Sequence, residues 1–195
     1  MTKTELATRF MENLATDNSH GHDQIHRYGP DYDWSSAGIA SWEGAGVPVY
    51  KNGATFTGNM LCSFMKSGFV NVTNSVDLKT GKGLVRGDVL LNIKYHTAMY
   101  VGNGKEVEAS INELGTATGG KTGDQTGKEI LIRNYRNYPW DCVLRYKELE
   151  DVAKEVIAGK WGNGDVRKRK LEETGYDYLQ VQECVNYLLS EGSKK

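Results

Sequence analysis

The periodicity of this chain changes near Gly83, and that change limits the folds open to it. Before Gly83, apolar residues recur at helical spacing; after it, short apolar runs alternate and are broken by glycine-containing turns. Leu6, Phe10, Met11 and Leu14 predict a helix over residues 5–14. Asp33 suits the N-cap of a second helix running to Ala45, with Gly46 just past its end. Residues 58–67 predict a third, stopped by Gly68. Beyond Gly83, residues 84–92 carry turn and strand features, 97–104 read as a strand entering a hairpin turn, and 106–109 as the returning strand. Residues 129–134 and 141–146 read as two further strands. The Gly/Thr-rich run 115–127 is too polar for a core and reads as a long surface loop. Helices first and an antiparallel sheet afterwards make an α+β domain over residues 1–146.

Residues 147–195 form a second unit. Leu149, Val152, Ala153, Val156 and Ile157 share a helical face, and residues 165–174 predict a charged helix stopped by Gly175. Asp177 caps a last helix whose expected buried side is Val181, Cys184, Val185, Leu188 and Leu189. Three short helices enclose little core, so this module is expected to be marginal by itself. A length of 195 residues accommodates one good core plus this appendage.

Charge and cysteine usage narrow the partners. The net charge is −1, from 24 basic and 25 acidic residues, which argues against nucleic acid or anionic lipid held by bulk electrostatics. Three widely spaced cysteines without a CxxC pair favour neither a disulfide framework nor a zinc ribbon. His22 and His26 are four apart, but Gly21, Gly29 and Pro30 disfavour a helix there. A solvated, substrate-facing loop is the expectation, with no metal and no cofactor. The N-terminus lacks an apolar signal region and no run approaches the ~18 apolar residues of a membrane span. The chain is therefore expected to be made in a cytoplasm, without a membrane partner.

Two segments carry chemistry. Arg86-Gly87-Asp88-Val89-Leu90-Leu91 is followed by His96-Thr97-Ala98-Met99-Tyr100-Val101-Gly102 and then Glu106-Val107-Glu108-Ala109. Earlier, Asp31-Tyr32-Asp33-Trp34-Ser35-Ser36-Ala37 opens a helix. Over roughly residues 6–146 this combination resembles the NlpC/P60-type, papain-like peptidoglycan amidohydrolases found in phage and prophage endolysins of Gram-positive hosts. The stretches 108–112, 115–127 and 138–146 share in the likeness. The resemblance implies a cysteine thiolate at a helix N-terminus, a strand histidine that takes its proton, and a polar residue that orients the histidine. On this chain those places fall to Trp34, His96 and Glu108, with Asn92, Asp88 and Asp124 as alternatives to Glu108. Gln24 stands where the fold often sets an oxyanion-stabilising side chain. Indole offers no ionisable nucleophile, so the attack step is expected to be missing.

No other residue fills that slot convincingly. Asp141-Cys142 looks like a displaced Asp-Cys pair, yet Cys142 sits in a strand pattern with Trp140, Leu144 and Tyr146 on one face and precedes no helix. Cys62, among Met60, Leu61, Phe64 and Met65, is expected to be a core thiol. Ser35 and Ser36 are expected to point away from the reacting direction.

The second unit has its own likeness. Residues 152–164, Arg167-Lys168-Arg169-Lys170-Leu171, Gly175-Tyr176-Asp177-Tyr178 and Val181-Gln182 resemble the short cell-wall-binding repeat of lysins. That implies peptidoglycan fragments as partner, with Trp161 stacking on a sugar face and Arg167 holding a peptide carboxylate. The protein would then act at the bacterial wall after release from the host, either as a hydrolase or as a binder built on a dead amidase groove. Oligomeric state is left open.

Overall fold

In the computed structural model, which describes residues 1–192, six α-helices and one six-stranded antiparallel sheet make a mixed α/β chain. Helix α1 (Lys3–Leu14) starts at Thr2, whose hydroxyl accepts the Glu5 N–H at 3.1 Å. Its buried stripe is Ala7, Met11 and Leu14, while Leu6, expected in the core, is exposed. Leu6 falls one position off the i, i+4, i+7 row that meets the neighbouring helix, and Ala7 permits a close approach there. Helix α2 (Trp34–Gly44) begins at Asp33 as expected. Helix α3 (Thr57–Met65) turns Thr57, Met60, Ser63 and Phe64 inward. Cys62, on its opposite side, is exposed rather than in the core.

The strands are β1 (Phe69–Asn71), β2 (Val89–Asn92), β3 (His96–Gly102), β4 (Lys105–Ala109), β5 (Ile130–Asn134) and β6 (Cys142–Tyr146), in the order β1-β6-β2-β3-β4-β5. Strand β1 was not expected: three residues are too few to show a period, and it exists by pairing Phe69 with Tyr146 of β6. The β3–β4 hairpin turns at Asn103 and Gly104, both at positive φ (53° and 71°), as a tight right-twisting turn requires.

Alternation sorts the sheet into two buried faces. Val89, Leu91, Met99, Val107, Cys142 and Leu144 meet the helices, with Trp42, Met60, Phe64 and Phe69 as the bulk of that core. Leu90, Ala98, Tyr100 and Val143 face away, under Trp140, Tyr135 and Tyr138. Trp140 therefore lies opposite Cys142 rather than beside it. It precedes the strand and sits in a tight bend where its N–H reaches the Tyr138 carbonyl at 2.6 Å, which resets the alternation.

Three helices follow: α4 (Leu149–Ile157), α5 (Gly164–Glu173) and α6 (Tyr178–Gly192). They enclose a separate core of Val152, Ala153, Val156, Leu171, Tyr176, Val181 and Val185. Asp177 caps α6 by accepting the Gln180 N–H at 2.9 Å. Ile157 and Leu189, expected inside, are exposed. Ile157 ends its helix, and the 15-residue α6 outruns the nine-residue α4 it packs on. Residues 193–195 of the expected second unit lie outside the described residues.

Candidate active site

The site grows from the start of α2. One Asp33 carboxylate oxygen accepts the Ser36 N–H at 2.6 Å and the Ser35 hydroxyl at 2.9 Å; the other accepts Arg27 Nη1 at 2.7 Å. Ser36 returns the bond by accepting the Asp33 N–H at 2.9 Å, completing a capping box. Both serine side chains are thus consumed by the cap and buried. Trp34 is the first residue of the helix and is half-buried, packed along Thr97, Ala98 and Met99 of β3.

Two imidazoles flank it. The Trp34 ring centroid is 5.6 Å from His96 and 5.4 Å from His22. His96 opens β3, and its Nε2 is 2.6 Å from Glu108 Oε2. Trp140 stacks on the His96 ring at 5.9 Å with planes 18° apart, and Tyr138 lies 5.4 Å away. Glu108 also accepts Arg133 at 2.9 Å and Arg136 at 2.6 Å. Burial alone would push this carboxyl up; the bond to His96, the charges of His96 and Arg136, and the bond from Arg133 outweigh it and bring Glu108 to about 2. The alternatives to Glu108 are engaged elsewhere: Asp88 with Arg145 at 2.7 Å, Asn92 with the Pro139 carbonyl at 2.7 Å, and Asp124 with the N–H groups of residues 126, 128, 129 and 130.

Gln24 is beside Trp34 in an open cavity of about 210 Å³ that Arg27, Asp33, Phe56 and Lys94 also line. The loop expected to be wholly at the surface is partly structural. Asp31 accepts N–H groups from Gly21 and Gly123 at 2.9 and 3.0 Å, and Glu129 accepts the His22 N–H at 3.1 Å. Gly21 is required: a Cβ there would stand 2.1 Å from the Gly123 carbonyl oxygen.

That clamp explains a correction. His22, expected in a solvated loop, is 2% exposed, while His26 is exposed, so the two do not face one way. Among the described residues neither His22 ring nitrogen has a hydrogen-bond partner, and burial lowers its pKa. The spacing of His22 carried no sign of this; the clamp comes from residues a hundred positions away. Glu106 was also missed. It lies two residues before Glu108 on the same face of β4 and is fully buried, with Arg136 Nε at 3.4 Å but no hydrogen bond to either oxygen. Burial, then the neighbouring Glu108 charge, pushes it up to about 7. The i, i+2 spacing of the two glutamates was the available signal.

The thiols sit apart from this site. Cys142 is buried, and burial, with the Asp141 charge, pushes it up to about 11, far from an activated thiol.

In the second unit, Trp161 is half-buried rather than free in a turn. Its Nε1 donates to Glu155 at 3.0 Å and its ring meets Tyr176 edge-on at 6.1 Å. With Lys147, Glu155, Lys160, Lys170 and Glu173 it lines an open cavity of about 390 Å³. Arg167 does not line that cavity; its guanidinium lies 5.9 Å from the Tyr178 ring centre.

Comparison with known proteins bears on this unit directly. Residues 150–189 match the CW_7 repeat, a cell-wall-binding repeat. No match is found among curated proteins. Among solved structures, NlpC2 and NlpC1 from Trichomonas vaginalis are similar at 17% and 18% identity, each with a TM-score of 0.38. The alignments cover 76% of this chain but 47% and 45% of theirs, so the chain spans under half the length of the structures it matches.

Proposed function

We propose that the chain is a phage or prophage endolysin of Gram-positive hosts, a Cys–His peptidoglycan amidohydrolase whose nucleophile is replaced by Trp34. The observation that carries this reading is the buried His96–Glu108 pair, 2.6 Å apart, with its imidazole 5.6 Å from the first residue of a capped helix. A histidine fixed by a carboxylate and aimed at a helix N-terminus is the arrangement that activates a thiol. The motifs around Trp34, His96 and Glu108 and the repeat over residues 150–189 support the same reading.

With cysteine at position 34, the thiol proton would pass to His96 Nδ1, the ring nitrogen that the Glu108 bond leaves free. The thiolate would attack an amide carbonyl of the stem peptide or of the muramoyl link. A C–S bond forms, and the carbonyl electrons move to an oxygen stabilised by Gln24 and the first N–H groups of α2. His96 then protonates the leaving nitrogen as the C–N bond breaks, and water hydrolyses the thioester with His96 as base. Glu108 acts through His96 as a positioning residue. In the chain as it stands the first step has no nucleophile, because indole is a donor only.

The test is turbidity loss on purified Gram-positive walls. The chain with Trp34 should leave them intact, and Trp34→Cys should clear them. Equal clearing by both would remove Trp34 from the nucleophile slot.

A second reading is a wall-binding protein built on a silent groove. What favours it is Trp34 itself, wedged between two imidazoles where substrate would enter. Co-sedimentation with walls separates the two: a binder keeps its affinity and loses it on Trp161→Ala, whatever stands at position 34.

A further inference from the structure

On the far side of α2 lies a groove of about 540 Å³ that the active site does not use. Phe10, Tyr28, Tyr32, Ile39, Glu43 and Tyr50 line it. Tyr28 and Tyr50 are 47% and 54% exposed and meet at 5.9 Å with planes 77° apart, so their faces form an open corner. Phe10 and Tyr32 make a second edge-to-face pair at 6.2 Å. Among the described residues that line the groove, Glu43 is the one charged group; it accepts the backbone N–H of residue 50 and so stands at the aromatic corner. Arg27 lies 5.4 Å from the Tyr28 ring but is spent on Asp33 and the Thr55 carbonyl, and does not line the groove.

Aromatic faces carry negative potential, and a carboxylate among them adds a full charge that no basic side chain lining the groove balances. The complement of such a surface is a cation with an apolar stem. We propose that this groove binds a primary alkylammonium, the side chain of a lysine-type residue in a peptide. The ammonium sits against the Tyr28–Tyr50 corner and Glu43, and the methylene stem lies along the half-buried Phe10 and Ala40. That this peptide belongs to the wall rests on the function proposed above; the cation chemistry does not. Tyr28 and Arg27 both bond the Thr55 carbonyl, at 3.3 and 2.7 Å, so a single ridge separates this groove from the cavity beside Trp34. A wall peptide crossing that ridge would be held at both ends.

The test titrates the full chain with Nα-acetyl-lysine methylamide and follows the ring-proton shifts of Tyr28 and Tyr50. Saturable shifts are expected, with the uncharged norleucine analogue about five-fold weaker or worse, the scale of a cation–π contact at a half-exposed site. Glu43→Gln and Tyr50→Leu should each weaken the lysine amide similarly; the second leaves the Glu43 bond to the backbone of residue 50 in place. Equal binding of norleucine, no shifts, or indifference to both groove variants overturns the proposal. Choline binding tighter than the lysine amide overturns the assigned source. Co-sedimentation with walls tells the two failures apart. Walls retained without lysine-amide binding sink the groove alone. Lysine-amide binding with no wall retention and no clearing by Trp34→Cys sinks the wall reading alone.

Discussion

Two glutamates on one strand are driven in opposite directions by their neighbours. Glu108 is hydrogen-bonded to His96 and two guanidinium groups and is held near 2, whereas Glu106, buried with Arg136 at 3.4 Å and no hydrogen bond to its carboxyl among the described residues, is raised to about 7, chiefly by burial. For Glu106 the folded state binds the proton more tightly than the unfolded state. Its contribution is therefore complete below pH ~4.5 and is lost as pH rises through about 7. Glu106→Gln should leave the melting temperature unchanged near pH 4.5 and raise it at pH 8, by an effect on the order of 2 kcal/mol. A difference independent of pH would show that Glu106 is not protonated in the folded protein. Glu108 has the opposite sign: its stabilisation is present above pH ~4.5 and fades as pH falls toward 2. In the Trp34→Cys background, Glu108→Gln should cost wall clearing roughly 10-fold to 1,000-fold, with activity rather than folding lost, as circular dichroism would check. The thiols give a further test. Iodoacetamide at pH 7.5 should label exposed Cys62 within minutes and buried Cys142 only on unfolding; rapid labelling of Cys142 in the native state would contradict its raised pKa. Glu108 could be picked out of the sequence because it follows a histidine strand in a recurring pattern. Glu106 and His22 could not, since their states depend on which distant groups close over them.

At the scale of elements, local chemistry was the readable part. Asp33 was recognisable as a cap because a capping side chain acts on its own next turn, and the structure adds what a sequence does not carry, the Arg27 bridge to the Thr55 carbonyl. Asp33→Ala removes the acceptor for Ser36 and strands Arg27. It should cost about 2 kcal/mol or more in urea unfolding. Asp33→Asn keeps an acceptor for the helix and should cost less; equal losses would mean that the arginine bridge, not the cap, sets the energy. Strand β1 escaped notice because three residues acquire their conformation from Tyr146 and its neighbours on β6, not from their own pattern. The Gly/Thr-rich loop was read as surface for the same reason in reverse. Its polarity is real, but Asp124 within it is buried and uses its carboxylate to gather four backbone N–H groups. A buried carboxylate that solvates its own loop looks in sequence like any exposed one.

Across the whole molecule, the repeat is seated on the sheet domain by a small number of groups that its three helices cannot supply for themselves. The Tyr176 hydroxyl donates to the Gly68 carbonyl at 2.8 Å and contacts the Lys147 carbonyl at 3.1 Å, while its ring belongs to the repeat's own core. One side chain thus ties the loop after α3, the end of β6 and the core of the last three helices. Gly175 beside it takes φ +87° and passes so close to Lys66 that a Cβ would lie 2.1 Å from that carbonyl oxygen. Glu148 adds a tie to α1 by accepting the Thr4 N–H at 2.7 Å. A three-helix unit with seven buried apolar residues among those described has little stability to spare, so the seat contributes to holding it folded. Tyr176→Phe keeps the ring and deletes the hydroxyl, leaving the buried Gly68 carbonyl with the Lys147 N–H at 3.3 Å as its remaining donor, which should cost about 1 kcal/mol. Gly175→Ala should cost more, because the left-handed backbone and the Lys66 contact both resist a side chain. The readout that isolates the seat is amide hydrogen exchange. Protection in α4–α6 should fall in both variants, further in Gly175→Ala, while β2, β3 and β6 keep theirs. If α4–α6 exchange is unchanged, the repeat stands on its own core. If the sheet loses protection in step, the two units unfold as one, and the repeat and the sheet domain then share a single stability.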